Sequence, residues 1–188
     1  MADLLYNGTE LIAKLATDKK YNATSGLPGY QNAEFQKMKD KGPIPEGKYY
    51  ILLLVDKKPF AQANYGSCSL LPTTSALQQI PRGANAIIPS GVPLPTVNGL
   101  TITTCDGIWA NWGWNRIVVN VYAETNAFGR NGFYLHDSAK GYSHGCIEVD
   151  IDFFTDLRKF IKNTTKKKLN LEVKYPNPKA STLGKTKK

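Results

Sequence analysis

The 188-residue chain has only two histidines and three cysteines, and no apolar run approaching the ~20 residues of a membrane-spanning helix. A helical membrane span is therefore not expected. Met1 to Gly8 lack the basic segment, apolar stretch and small-residue cleavage site of a secretory leader, so the expectation is a protein made in the cytoplasm without a signal peptide. Cys68, Cys105 and Cys146 form no C-x-x-C pair and have no partnering histidines at zinc spacing, which removes the basis for a structural zinc site. In an oxidising compartment Cys68 and Cys105 can bridge and leave Cys146 free, but sequence alone does not fix their separation.

The net charge is +9, from 24 Lys and Arg against 15 Asp and Glu, with runs at Lys166-Lys167-Lys168 and Lys185 to Lys188. A basic surface favours polyanionic partners. Zinc-finger spacing, a basic helix and an aromatic RNA-binding signature are all missing, so no nucleic-acid partner is expected. An anionic cell envelope draws the same field, and a solvated face with a ragged basic terminus explains the runs equally well.

Sixteen glycines and 11 prolines point to many turns and short strands in one mostly β (α+β) domain over 1–176, with 177–188 as a loose Lys-rich tail. Asn7-Gly8 between Leu4-Leu5-Tyr6 and Leu11-Ile12-Ala13 predicts a hairpin. Asn32 to Asp40 reads as a short helix, Tyr49 to Val55 as a buried strand, and Thr74 to Ile80 as one or two helical turns. Arg116 to Glu124, Phe133 to His136 and Leu169 to Tyr175 read as strands. Asp150 or Asp152 is placed to cap a helix to about Asn163, with Ile151, Phe154, Leu157, Phe160 and Ile161 along its apolar stripe.

Gly132 to Val149 holds both histidines and one cysteine. A thiol is a good nucleophile only as thiolate, and at an ordinary pKa of about 8.5 it is mostly protonated at neutral pH. An imidazole can take that proton and later deliver it to a leaving amine. The order strand, turn, Ser143-His144-Gly145-Cys146, strand suits this chemistry, because Gly145 lets a reacting carbonyl approach and the Gly145 and Cys146 amides can face a developing oxyanion. The bland alternative is a buried structural thiol beside a surface imidazole.

His136 at a strand end, followed by Ser143-His144-Gly145-Cys146-Ile147, resembles the active-site signature of the L,D-transpeptidase (YkuD-like) superfamily. The ten-position gap from His136 to Cys146, with Gly42-Pro43-Ile44-Pro45-Glu46-Gly47-Lys48-Tyr49 upstream, is similar to the compact branch of type VI secretion L,D-transpeptidase effectors. The resemblance spans about Tyr21 to Val149. It implies an L,D-transpeptidase-like β-sheet or sandwich domain with a C-terminal helix and few short helices, Cys146 as nucleophile and His136 as base. Ser143 and His144 shape the site, and Gly145 with the Cys146 amide receives the oxyanion.

The implied substrate is the peptidoglycan stem peptide and the implied activity L,D-carboxypeptidase or D-amino-acid exchange, with no metal or organic cofactor. An antibacterial effector of this kind implies a cognate immunity protein, a secretion apparatus and action in the periplasm of a target bacterium. A housekeeping cell-wall L,D-transpeptidase and a non-catalytic peptidoglycan-binding module are the alternatives. Glu148 departs from the basic or amide residue of many cell-wall-building members, which puts the neighbouring subsite in question. Asp137 is a candidate to orient His136, though an acid after a strand is more often solvated. Trp109, Trp112 and Trp114 are read as core or core edge, with Trp112 or Trp114 flanking the cleft if the segment is extended.

Overall fold

The structure, a computed structural model, describes residues 2–59, 61–64, 67–70, 76–79, 96–97, 100–101, 111–138 and 140–186. The side chains of 56–75 and 79 lie outside the description, as do those of the short strands at 96–97 and 100–101. The proposed Cys68–Cys105 bridge and Trp109 therefore lie outside the described residues.

The chain opens with β1 (Leu4–Tyr6), β2 (Glu10–Lys14) and β3 (Asp18–Thr24), consecutive antiparallel neighbours. The first turn forms as the sequence predicts. The Asn7 side-chain oxygen accepts from the amides of Thr9 at 3.0 Å and Glu10 at 2.9 Å, and Gly8 takes the left-handed backbone beyond it, with φ +113°. Ala33–Lys37 forms a 3₁₀ turn where a short helix was expected.

After this turn come β4 (Gly47–Leu52), β5 (Val55–Pro59), β6 (Ala61–Asn64), β7 (Ser67–Leu70), β8 (Leu77–Gln79), β9 (Thr96–Val97) and β10 (Leu100–Thr101). Leu77–Gln79 pairs with β5 and with Asn115 and Arg116 of a later strand, so the helical turns expected at Thr74 to Ile80 are not formed at its described residues. A short apolar run does not distinguish the two states by itself, and sheet pairing decided it.

The strands β11 (Asn115–Val121), β12 (Phe133–His136) and β13 (Ile147–Val149) lead into helix α1 (Ile151–Asn163) and β14 (Lys168–Val173). Eight strands close on themselves in the order β12-β13-β3-β2-β1-β14-β4-β11 and back to β12, giving a barrel-like, mostly β fold. Leu4, Leu11, Tyr49, Ile51, Ile117, Leu135, Ile147, Leu169 and Leu171 fill the core by strict alternation along their strands.

Helix α1 buries Phe153, Phe154 and Leu157, each contributing about 1.5–3 kcal/mol. Ile151 is 45% exposed, so Phe153 takes the core place expected of it. Asp150 makes no side-chain cap and instead accepts from the Asn22 backbone and side-chain amides at 3.2 and 3.1 Å, pinning the helix start to β3. No helix among the described residues is long and apolar enough to cross a membrane.

The segment after Pro176, expected to be loose, is held against the domain through Thr186. Thr182 is fully buried, donates its hydroxyl to the Ser25 carbonyl at 2.7 Å and gives its amide to the Gln31 carbonyl at 2.9 Å. Ala180 is buried beside it. The Lys-rich composition hid these small buried residues.

Candidate active site

Strands β11, β12 and β13 lie side by side, and their register sets His136 opposite Arg116 on one neighbour and opposite Glu148 on the other. Residues directly opposite share a face, and Cys146 stands immediately before β13, whose second residue is Glu148. A polar row thus crosses the sheet, while Leu135, Ile117 and Ile147 turn inward to the core. His136 and Cys146 are brought together at a cavity of about 300 Å³ lined by Asn111, Trp112, His136, Lys140, Ser143, His144 and Cys146.

His136 is buried at 3% exposure, and its Nδ1 makes no hydrogen bond among the described residues. Burial, reinforced by the positive charge of Lys140, pushes its pKa down to about 3, with the Trp112 backbone pulling weakly the other way. The Trp112 ring meets the imidazole edge-on at 5.6 Å. Cys146 is a free, half-buried thiol whose Sγ lies 3.9 Å from the Gly132 carbonyl. Burial pushes it up to about 11, against the Tyr134 backbone and the positive charges of Arg130, Lys140 and Arg116. The resting site at neutral pH is therefore a neutral thiol and a neutral imidazole.

Ser143 organises the turn before the nucleophile. Its hydroxyl donates to the Cys146 carbonyl and accepts from the Gly145 amide at 3.3 Å, while its own amide donates to the Gly26 carbonyl at 3.0 Å. The Gly145 amide, expected to face an oxyanion, is thus engaged by Ser143 in the resting site. His144 is exposed, and its Nδ1 lies 2.9 Å from the Asp40 carbonyl. A carbonyl only accepts, so Nδ1 carries the hydrogen and Nε2 is left as an acceptor when the ring is neutral.

Two arginines were not found from the sequence. Arg130 is 6% exposed and donates to the carbonyls of Gln36, Pro43 at 2.7 Å and Gly42 at 2.9 Å. It thereby ties the Gly42-Pro43 element to the Cys146 turn. Arg116 is 2% exposed, bonded through Nε to Gln78 at 3.0 Å, with Trp112 and Tyr134 rings 5.0 and 5.4 Å from its guanidinium. The signal for Arg130 was its place in Gly129-Arg130-Asn131-Gly132, a charge between turn glycines just before the histidine strand. Arg116, opening a strand of apolar residues, gave none.

Asp137 does not orient His136. Its carboxylate accepts from the amides of Trp114 at 2.6 Å and Asn115 at 2.8 Å and from Asn115 Nδ2 at 2.8 Å. Gly113 fits beneath these bonds because a Cβ there would stand 2.3 Å from Asp137 Oδ1, and its φ is +72°. This bend separates the tryptophans: Trp112 faces the cavity and Trp114 lies toward α1, so they do not share a strand face.

Glu148 is also not an open subsite residue. It is fully buried, accepting from the Ser138 hydroxyl, the Gly141 amide at 2.8 Å and the Thr186 hydroxyl at 2.7 Å. Burial raises its pKa, and these donors with Lys140 oppose the rise. Its work is to fasten Ser138, Gly141 and, in the C-terminal segment, Thr186 to β13.

Fold and site together define a mostly β domain with a free thiol and a buried imidazole opening on one cleft. The family model of the Tlde1 domain matches residues 19–171, and the chain belongs to this family of type VI secretion L,D-transpeptidase effectors. No curated protein matches the chain.

Proposed function

We propose that this protein is an antibacterial effector that attacks peptidoglycan tetrapeptide stems by cysteine acyl transfer in the periplasm of a competitor. The observation that carries the reading is that Cys146 and His136 open on one cavity, with Arg130, Lys140 and Arg116 placing positive charge around the sulfur. His136 takes the thiol proton as Sγ attacks the carbonyl of diaminopimelate. The His136 imidazolium then protonates the departing amine of the terminal D-alanine, leaving a thioester on Cys146. Because thiol and imidazole rest neutral, proton transfer accompanies attack.

The surrounding cations favour the thiolate and oxyanion that develop along this path. The Cys146 amide is the proposed oxyanion donor. The Gly145 amide joins it when its long contact with Ser143 is released. Water resolves the thioester to a tripeptide, which is L,D-carboxypeptidase activity. A D-amino acid resolves it by exchange. Family membership supports the effector assignment, which carries with it an immunity protein and a secretion apparatus as partners. Purified sacculi treated with wild type are expected to show altered muropeptides, and those treated with Cys146→Ala none. Unchanged muropeptides with folded wild-type protein would sink the enzyme assignment.

A further inference from the structure

The cavity holds one feature that nucleophile, base and oxyanion donor leave unused. Lys140 Nζ donates to Asn111 Oδ1 at 2.8 Å, lies 4.6 Å from the centre of the Tyr142 ring, and has no carboxylate within ion-pair distance among the described residues. An ammonium has three donors, so two remain for another group. The residue that follows Lys140 is anchored on both sides of its backbone. Gly141 is bonded through its amide to Glu148 and through its carbonyl to Gln31 Nε2 at 2.7 Å. The described lining residues of the cavity include no carboxylate; the carboxylate that acts on Lys140 is that of buried Glu148, which is already engaged by Ser138, Gly141 and Thr186.

We infer that Lys140 is a carboxylate-binding residue that selects substrates carrying a free carboxylate within about one residue of the scissile carbonyl. The inference rests on the acyl-transfer reading for its substrate, and on geometry alone for the anion subsite. Half-burial of Lys140 strengthens the contact, because partial desolvation makes a charge-assisted hydrogen bond worth more than at an open surface. Three groups of a tetrapeptide stem present this chemistry: the C-terminal carboxylate of the leaving residue, the side-chain carboxylate of diaminopimelate and the free α-carboxylate of the γ-linked glutamate before it.

The test compares wild type with Lys140→Gln and the charge-retaining Lys140→Arg, each checked for native circular dichroism. Cys146 is alkylated with iodoacetate and with iodoacetamide at one mildly alkaline pH and followed by peptide mass spectrometry. The iodoacetate-to-iodoacetamide rate ratio is expected to fall about tenfold in Lys140→Gln, the lower end of a charge-assisted hydrogen bond, and to be kept in Lys140→Arg. An equal ratio in wild type and Lys140→Gln overturns the inference.

In a second arm, stems amidated at the C-terminus, at the diaminopimelate side chain or at the glutamate α-carboxylate are turned over. The amidation that slows wild type but not Lys140→Gln identifies the bound carboxylate, and indifference of wild type to all three overturns the selectivity. If wild type turns over no stem while its alkylation ratio still depends on Lys140, the anion subsite stands and the peptidoglycan reading falls.

Discussion

Arg130 lies directly against Gly145: a Cβ on Gly145 would stand 2.2 Å from Arg130 Nη2. The residue before the nucleophile thus has its conformation, φ +111°, and its lack of a side chain fixed by a guanidinium that also holds the carbonyls of Gln36, Gly42 and Pro43. Gly145→Ala is expected to cost about 1–3 kcal/mol from the backbone alone and to reduce activity by shifting the turn. Arg130→Met leaves two buried carbonyls and the part-buried Gln36 carbonyl without their donor and is expected to cost about 3 kcal/mol in urea unfolding. Arg130→Lys should not recover it, because a single ammonium cannot reproduce the fork. A Gly145→Ala protein with unchanged stability and turnover contradicts this packing.

His136 makes stability depend on acid. Its pKa falls from 6.5 in the unfolded chain to about 3 in the folded protein, so between these values the unfolded state binds more protons. Its contribution is therefore complete above pH 6.5 and is lost as pH falls toward 3, at up to about 1.4 kcal/mol per pH unit. Urea unfolding of wild type and His136→Gln across this range should give a difference that shrinks as pH falls. A difference independent of pH would show that the imidazole is not held neutral.

The Cys146 thiol sets a separate pH signature. With its pKa near 11, thiolate is scarce at neutral pH, and the rate of Cys146 alkylation by iodoacetamide should keep climbing through pH 9 without an earlier plateau. A plateau near neutrality, with thiolate ultraviolet absorbance lost in Cys146→Ala, would mean an ion pair at rest instead.

Glu148→Gln keeps the shape but replaces an acceptor oxygen with a donor where Ser138, Gly141 and Thr186 all donate. The expected outcome is a loss of about 1–3 kcal/mol and faster amide hydrogen exchange at 140–143 and in the C-terminal segment. Unchanged exchange there would contradict the fastening role.

The strands β1, β2, β11, β12 and β14 were legible because alternation and an Asn-Gly turn are local signals. So were Cys146, His136 and the Ser143-His144-Gly145 lead-in, which lie within one short stretch. Closure of the sheet was not, since it depends on β11 pairing with β12 as well as β4. Nor were the roles of Arg130, Glu148 and Asp137, each defined by partners far away in sequence: Gly42 for Arg130, Thr186 for Glu148 and Asn115 for Asp137. Composition made the C-terminal segment look solvated, although Ala180 and Thr182 are buried. Charge is read easily from a sequence; its burial depends on what folds over it.

The most direct test is the acyl-enzyme itself. Wild-type protein mixed with a tetrapeptide stem, quenched in acid and digested, should carry the tripeptide acyl mass on the peptide containing Cys146, with free D-alanine released. His136→Gln should form it far more slowly and Cys146→Ala not at all. Release of D-alanine by Cys146→Ala at the wild-type rate, or folded wild type that neither acylates nor releases it, would contradict the account.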